Sequence, residues 1–337
     1  MHALLRVLDE PRFTEPRLFC LLASDAPPLC ILLPPSSTPS IVFLPLTNAL
    51  LHSPLLPLAT GDMPSSLTDE GTPQALQTIN RPDEGPQVNS IRDLHSLCSI
   101  SDSETGAFKR SVFTFIGDQD YVYFGGAPIG GMYLSSQDLK KALKRVPDED
   151  VYPEAPSQIT VASIPTEVDV YVKRPKLNIY DNWVNSGLLA RLFLGEAETF
   201  EALIRKPHHR NIIRYHGCIV HRRRITGIVL DRCSKTLEDR LREGAHGFNK
   251  RLCMDGIKSG VEHLHSLGYA HNDLNPSNIM VSEDDTPIII DLGSCKRFGK
   301  ALISGGTCGW IDEDFTTSER RHDEAALTKL WEWLEKK

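Results

Sequence analysis

Residues His271 to Asn278 read His-Asn-Asp-Leu-Asn-Pro-Ser-Asn, and Asp291-Leu292-Gly293 begins thirteen residues after Asn278. Ile279-Met280-Val281 and Ile288-Ile289-Ile290 are short apolar runs separated by the acidic, Pro-containing segment 282–287. This pattern predicts two short strands joined by a turn. A hairpin of that kind holds Asn278 at one end and Asp291 at the other, both on rigid elements. Carboxylate and amide oxygens are hard donors of the type that Mg²⁺ takes. The plainer alternative is a surface turn rich in Asp and Asn, which are ordinary turn residues. The paired apolar runs at this spacing argue against it.

Asp273, the Asn five residues on and the Asp-x-Gly resemble the catalytic loop (H-R-D-L-x-x-x-N) and the D-F-G of the protein-kinase superfamily. The resemblance implies an α+β, two-lobed fold with a small antiparallel β N-lobe and a shortened helical C-lobe. It implies ATP and Mg²⁺ as cofactors. Transfer of a γ-phosphoryl group needs positioning and charge neutralisation rather than covalent help. On this reading Asp273 accepts the proton of the attacking hydroxyl, Asp291 holds Mg²⁺ across the phosphates, and Asn278 completes the metal shell.

Further residues extend the resemblance upstream. Val170-Tyr171-Val172-Lys173 resembles the V-A-I-K strand, with alternation from Val168 through Val172, and makes Lys173 the cation for the α/β-phosphates. Residues 188–203 have helical apolar spacing and run into His209-Arg210-Asn211-Ile212-Ile213-Arg214-Tyr215, similar to the family's entry to its fourth strand. Counting back seven residues from Leu203 selects Glu196 as the partner of Lys173, with Glu198 and Glu201 as rivals. Ile225 to Leu230 reads as the strand leading to a hinge. Leu230 falls at the gatekeeper position, and backbone around Asp231, Arg232 and Cys233 would bind adenine. Helices are expected over 236–241 and over 252–267, the second closed by Gly268. His263 and His265 read as ordinary helix-face residues, since no His or Cys pair at metal spacing accompanies them.

The chain departs from the family in four places. Asn272 replaces the Arg of the catalytic loop, so a phosphorylated activation loop has no Arg partner there. Asn275 replaces the Lys that serine/threonine kinases use to neutralise the transferring phosphate, so its absence costs rate unless another cation substitutes. No Gly-rich loop precedes Lys173: Gly125-Gly126-Ala127-Pro128-Ile129-Gly130-Gly131 has the wrong pattern and lies more than forty residues upstream. The first two strands are expected between Tyr152 and Thr166, without glycine, so backbone cover of the phosphates is weaker. Only 46 residues follow Asp291, and Gly306-Thr307-Cys308-Gly309-Trp310 resembles the end of an activation segment without an A-P-E. Residues 323–334 resemble the central large-lobe helix, whose leading Asp323 braces the catalytic loop; the remaining large-lobe helices are expected to be absent. Over roughly 145–337 the pattern resembles a group of small fungal protein-kinase-like proteins.

The remaining sequence divides the chain. A net charge of −7 argues against a general nucleic-acid binder. The eight cysteines include no C-x-x-C, which fits reduced thiols in a cytoplasmic or nuclear setting. No Lys occurs before Lys109, and ten of the 23 prolines fall in the first 60 residues. Residues 1–88 therefore read as disordered low-complexity sequence, with a translation start at Met63 as another possibility. Residues 41–58 approach membrane-span length, but internal prolines make a poor helix; Asp9 and Glu10 do not suit a signal peptide. Residues 89–147 read as a small α+β extension. It has a hairpin around 117–120 and a helix over 136–146 capped by Ser136. Residues 148–233 are then the kinase N-lobe and 234–337 a truncated C-lobe. Arg222-Arg223-Arg224 reads as a solvated turn.

Three functions compete. The first is an ATP-dependent protein kinase, Ser/Thr in type, acting as a monomer on a protein substrate. The second is a pseudokinase or nucleotide-binding scaffold, favoured by the missing Gly loop and the two Asn replacements. The third is a small-molecule phosphotransferase of the aminoglycoside or choline kinase type, which shares the H-x-D-L-x-P-x-N loop.

Overall fold

The computed structural model describes residues 85–102, 105–163, 169–303, 306–312 and 315–337, together with a short antiparallel pairing of Leu18–Phe19 with Ile31–Leu32. Of the segment 1–88 expected to be disordered, only that pairing and residues 85–88 are described, and Val88 is buried in the core of the extension; the possible start at Met63 and the span at 41–58 lie outside the described residues.

The first folded layer is the extension. Strands β1 (Ser96–Ser101), β2 (Phe108–Ile116), β3 (Val122–Ala127) and β4 (Lys144–Arg145) form one antiparallel sheet in that order. The turn between β2 and β3 carries two successive left-handed residues, Gln119 and Asp120 (φ 55° and 64°). Helix α1 (Ser136–Ala142) is shorter than its apolar spacing predicted, and its cap is Ser135 rather than Ser136. The Ser135 hydroxyl accepts from the Asp138 amide while the Asp138 carboxylate accepts from the Ser135 amide, a capping box. Lys144 and Arg145 leave the helix because Phe124 and Tyr123 offer strand partners, and pairing overrides helix propensity.

The N-lobe follows a short helix, α2 (Asp148–Val151). Its sheet runs β5 (Val170–Lys173), β7 (Arg224–Asp231), β6 (Tyr215–His221), all antiparallel. Helix α3 (Leu188–Ile204) packs on this sheet through Phe193, Ala197 and Phe200, against Ile225, Ile228 and Leu230.

The two strands expected between Tyr152 and Thr166 are not formed among the described residues. Residues 160–162 instead make one parallel bridge to β6, with Cys218 N donating to Thr160 O (2.7 Å) and Ala162 N to Cys218 O (2.9 Å). Glu201 pins this segment by accepting from Thr160 N at 2.8 Å. Gly217 makes the approach possible: it has φ 118°, and a Cβ there would lie 2.8 Å from Thr160 O. The segment therefore sits on the β6 edge, opposite the β5 edge where a phosphate-covering hairpin would be needed.

The basic run is also not a solvated face. Arg222 and Arg223 form the β6–β7 turn with φ 50° and 62°. Arg222 reaches the Asp148 carboxylate at 2.6 Å and covers the Tyr121 ring, while Arg224 donates to Tyr152 O at 2.8 Å. The turn is half-buried because the extension lies against it.

The C-lobe contains α4 (Leu237–Arg242), α5 (Lys250–Ser266) and α6 (Arg320–Glu335) around Leu237, Met254, Ile257, Ile279, Leu330 and Leu334. A three-stranded sheet of β8 (Lys235–Thr236), β10 (Ile279–Val281) and β11 (Pro287–Ile289) lies beside the helices. Strands β9 (Tyr269–Ala270) and β12 (Lys296–Arg297) form a small ribbon. Gly268 at φ 83° closes α5. No described helix is long and apolar enough to cross a membrane, and every cysteine among the described residues is a free thiol.

Candidate active site

The β10–β11 hairpin positions the acidic end of the site. Asn278 precedes β10, Asp291 follows β11, and Ile279 pairs with Ile289 across the ladder. Asp291 adopts φ 56°, a conformation short polar side chains tolerate. Lys173 ends β5 and enters from the other lobe. Its Nζ lies 2.6 Å from Glu196 Oε1 and 2.9 Å from Asp291 Oδ1. Of the rival carboxylates, Glu198 is exposed, and Glu201 accepts from Tyr215 Oη at 2.7 Å.

Burial alone would drive the Lys173 ammonium down; Asp291 and Glu196 outweigh it and raise its pKa. Burial would likewise raise Asp291, but Lys173 and Lys176 hold it well below the usual carboxylate range. Glu196 is pushed up by burial, with Asp291 adding to the effect of burial against Lys173. Asp273 is raised by burial, opposed by a hydrogen bond from Thr307.

Asp273 sits in a cradle of donors. Thr307 Oγ1 donates to its Oδ1 at 2.7 Å, and Asn275 Nδ2 lies 3.2 Å from the same oxygen. Asn278 Nδ2 donates to Asp273 O (2.8 Å) and Oδ2 (3.1 Å), which leaves the Asn278 amide oxygen for another ligand. His271 Nε2–H donates to Ile290 O at 2.9 Å, so its Nδ1 accepts from the Asp273 amide at 3.3 Å, a tautomer set by the network.

The loop itself is held from behind. Asp323, fully buried at the start of α6, accepts from His271 N, Asn272 N and His265 Nε2, each at 2.8 Å. Asn272, at φ 62°, donates from Nδ2 to Ala270 O and Ser294 O (both 2.9 Å) and Ser318 Oγ (3.0 Å). Its Oδ1 lies 3.0 Å from His322 Nδ1. A neutral residue thus fills the place of the missing Arg. His265 is a structural partner here, not a metal ligand, and no group of metal-ligating side chains stands apart among the described residues.

Lys173, Glu196, Asp273, Asn278 and Asp291 all line one cavity of about 550 Å³ between the lobes. Asn275, Ser277, Thr307, Trp310 and Trp333 line it too. Leu230, Asp231, Arg232 and Cys233 do not. Arg232 folds over the β5 edge, donating to Asp169 Oδ1 (2.8 Å) and Val170 O (2.7 Å), and its amide donates to Asp169 O (3.2 Å). The Asp231 carboxylate is paired with His216 Nε2 at 2.6 Å. Two residues of the site carried weaker sequence signals. In the sequence Thr307 belongs only to a Thr-x-Gly turn, and Lys176 only to the basic turn Lys173-Arg174-Pro175-Lys176.

Residues 194–312 match the family model described as "Protein kinase domain". The chain is 31% identical over 181 residues to the serine/threonine-protein kinase/endoribonuclease IRE1 of Hypocrea jecorina, covering 47% of this chain and 13% of that protein. It is 27% identical over 177 residues to mitogen-activated protein kinase kinase kinase 13-A of Xenopus laevis, covering 45% of this chain and 18% of that protein. Against serine/threonine-protein kinase 16 of Mus musculus the identity is 49% over 42 residues, covering 12% of this chain and 14% of that protein. The chain thus spans 13–18% of the length of these relatives. Fold, loop motif and matches point the same way: residues 194–312 are similar to a protein-kinase domain.

Proposed function

We propose that this chain is an ATP- and Mg²⁺-dependent protein kinase of the Ser/Thr type. The observation that supports it best is the convergence of Lys173 on Glu196 (2.6 Å) and Asp291 (2.9 Å) in the cavity that Asp273 also lines. Asp291 and Asn278 offer the hard oxygens a divalent cation takes, and Asn278 has its nitrogen committed elsewhere. Mg²⁺ bound there would neutralise charge on the β- and γ-phosphates. In transfer, the acceptor hydroxyl oxygen bonds to the γ-phosphorus while the bond to the β–γ bridging oxygen breaks. Asp273 takes the hydroxyl proton, and ADP leaves with the bridging oxygen. Lys173 binds the α/β-phosphates, and Glu196 holds Lys173 in place. Leu230 to Cys233 form the adenine end, with Arg232 moving off the β5 edge when nucleotide binds. The acceptor is a hydroxyl on a protein, in the cytoplasm or nucleus, and the chain acts as a monomer.

The absence, among the described residues, of a hairpin beside β5 supports a second reading, a nucleotide-binding scaffold without useful transfer. Calorimetric titration of the full chain with ATP, with and without Mg²⁺, separates the cases from a third. Mg²⁺-dependent binding followed by label transfer from γ-labelled ATP to protein is expected, and Asp273→Asn keeps the binding and loses the transfer. Binding without transfer favours the scaffold. Absence of binding at millimolar ATP defeats both.

A further inference from the structure

Asn275 leaves the catalytic loop without a cation, yet the cavity is not short of positive side chains. Lys173, Arg174 and Lys176 all line it. Two of the three are committed. Lys173 is shared between Glu196 and Asp291, and Arg174 donates to Thr226 O (2.7 Å) and pairs with Asp120 (2.7 Å). Lys176 is held differently. Pro175 precedes it and a 3-10 turn (Leu177–Asn182) follows, with Leu177 N donating to Pro175 O at 2.8 Å, so its backbone is fixed. Its side chain is 58% exposed, and among the described residues its ammonium meets only Asp291 Oδ2, at 3.8 Å. That is the oxygen Lys173 does not use. Its field reaches three of the four carboxylates that line the cavity, Glu196, Asp273 and Asp291, while the fourth, Glu238, accepts from Ser277 Oγ at 2.8 Å and meets Arg242 at 3.2 Å.

We propose that Lys176 is a phosphate-binding residue of this site, contacting the terminal phosphate of a nucleoside triphosphate and supplying the charge that the catalytic loop lacks. The proposal rests on the phosphotransfer reading above. Glu196, Asp273, Asp291 and Glu238 line the cavity against one doubly paired lysine and an arginine already paired with Asp120, so a terminal phosphate entering beside Asp291 meets net negative charge. A loosely held ammonium on a four-carbon stem can move from Asp291 to that phosphate without breaking a tight pair. Asn275 cannot substitute: it is neutral, and its amide nitrogen is directed at Asp273 and Thr307. Lys176 forms no bond in the reaction; it stabilises charge on the phosphoryl oxygens while the bond to the leaving oxygen breaks.

The test compares a non-hydrolysable ATP analogue with ADP, each with Mg²⁺, by calorimetry on the full chain. Removing one charge-assisted contact in Lys176→Met should weaken the triphosphate about tenfold or more while changing ADP less than about twofold. Lys176→Arg should restore most of the difference. If Lys176→Met binds both nucleotides as wild type does while Asp291→Ala loses both, Lys176 is not a phosphate ligand and the kinase reading stands. Equal weakening towards ADP and the analogue also overturns the assignment, because a terminal-phosphate contact is absent in ADP. If the wild-type chain binds neither nucleotide, the inference and the reading beneath it fall together.

Discussion

Replacing Asp323 with alanine should unfold the catalytic loop before it changes anything else. The carboxylate is fully buried and accepts three hydrogen bonds at 2.8 Å, from the His271 and Asn272 amides and the His265 ring. Alanine removes every acceptor and leaves two backbone N–H groups and a ring N–H with no water. Each stranded buried polar group costs about 1–3 kcal/mol. Some relaxation is available to the ring, so the sum is about 3–5 kcal/mol, in line with breaking a buried charged contact. That is about a third of the whole stability of an ordinary domain. Urea unfolding of the full chain, with the slope compared between variant and wild type, measures it directly. Nucleotide titration of the same samples reports the loop, which should lose affinity at temperatures where the variant is still folded. A loss under about 1 kcal/mol at unchanged slope would refute the argument, since it would mean that the amides find other acceptors and that α6 does not hold the loop.

Asp120→Ala should cost about 2–4 kcal/mol, because it strands the Arg174 guanidinium it meets at 2.7 Å; wild-type-like thermal unfolding would count against it. Burial would raise the Asp120 pKa, but His221, Arg174 and Thr226 outweigh it and hold it depressed. A depressed carboxylate contributes stability that is complete above its unfolded pKa and is lost as pH falls towards its folded value. Acid titration of stability should therefore be shallower in Asp120→Asn; identical acid limbs would show that this pair is not the source. Burial raises Asp273, so the rate of transfer should climb with pH through a midpoint above that of an ordinary aspartate, and a rate flat across acid pH would remove it as the base. Glu196→Gln should lower nucleotide affinity or transfer about tenfold by releasing Lys173, measured by the same titration and label transfer; an unchanged variant would mean that Asp291 alone positions the lysine.

The parts of the site legible in the sequence were those whose spacing is imposed by one local element. Asp273 and Asn278 share a loop, and a hairpin of two apolar runs joins Asn278 to Asp291, so distance along the chain stands in for distance in space. Glu196 could be picked out only by helical counting, and the choice against Glu201 needed the Tyr215 and Thr160 contacts that occupy it. What the sequence hid was decided by partners far away. Lys144 and Arg145 looked helical until β3 offered an edge, and the arginine run looked solvated until Asp148 and Tyr121 covered it. The segment at 160–162 reads like a strand of the phosphate-covering hairpin, but the glycine at 217 draws it to the other edge. Lys176 carried only a weak signal, since a basic turn after a strand is usual surface chemistry.

Helix α3 is gripped at both ends. Its first turn, Leu188 and Leu189, is packed with Val122 and Val146 of the extension and with Tyr152 and Trp183, while its later turns lie on the N-lobe sheet. Glu196 sits between these anchors, and Gly195 O accepts from Lys296 Nζ at 3.3 Å. A rod clamped along its length cannot pivot, so the lysine–glutamate pair is set when the chain folds rather than when a signal arrives. On the kinase reading proposed above, loosening the extension is then expected to release the Lys173–Glu196 pair and weaken nucleotide binding.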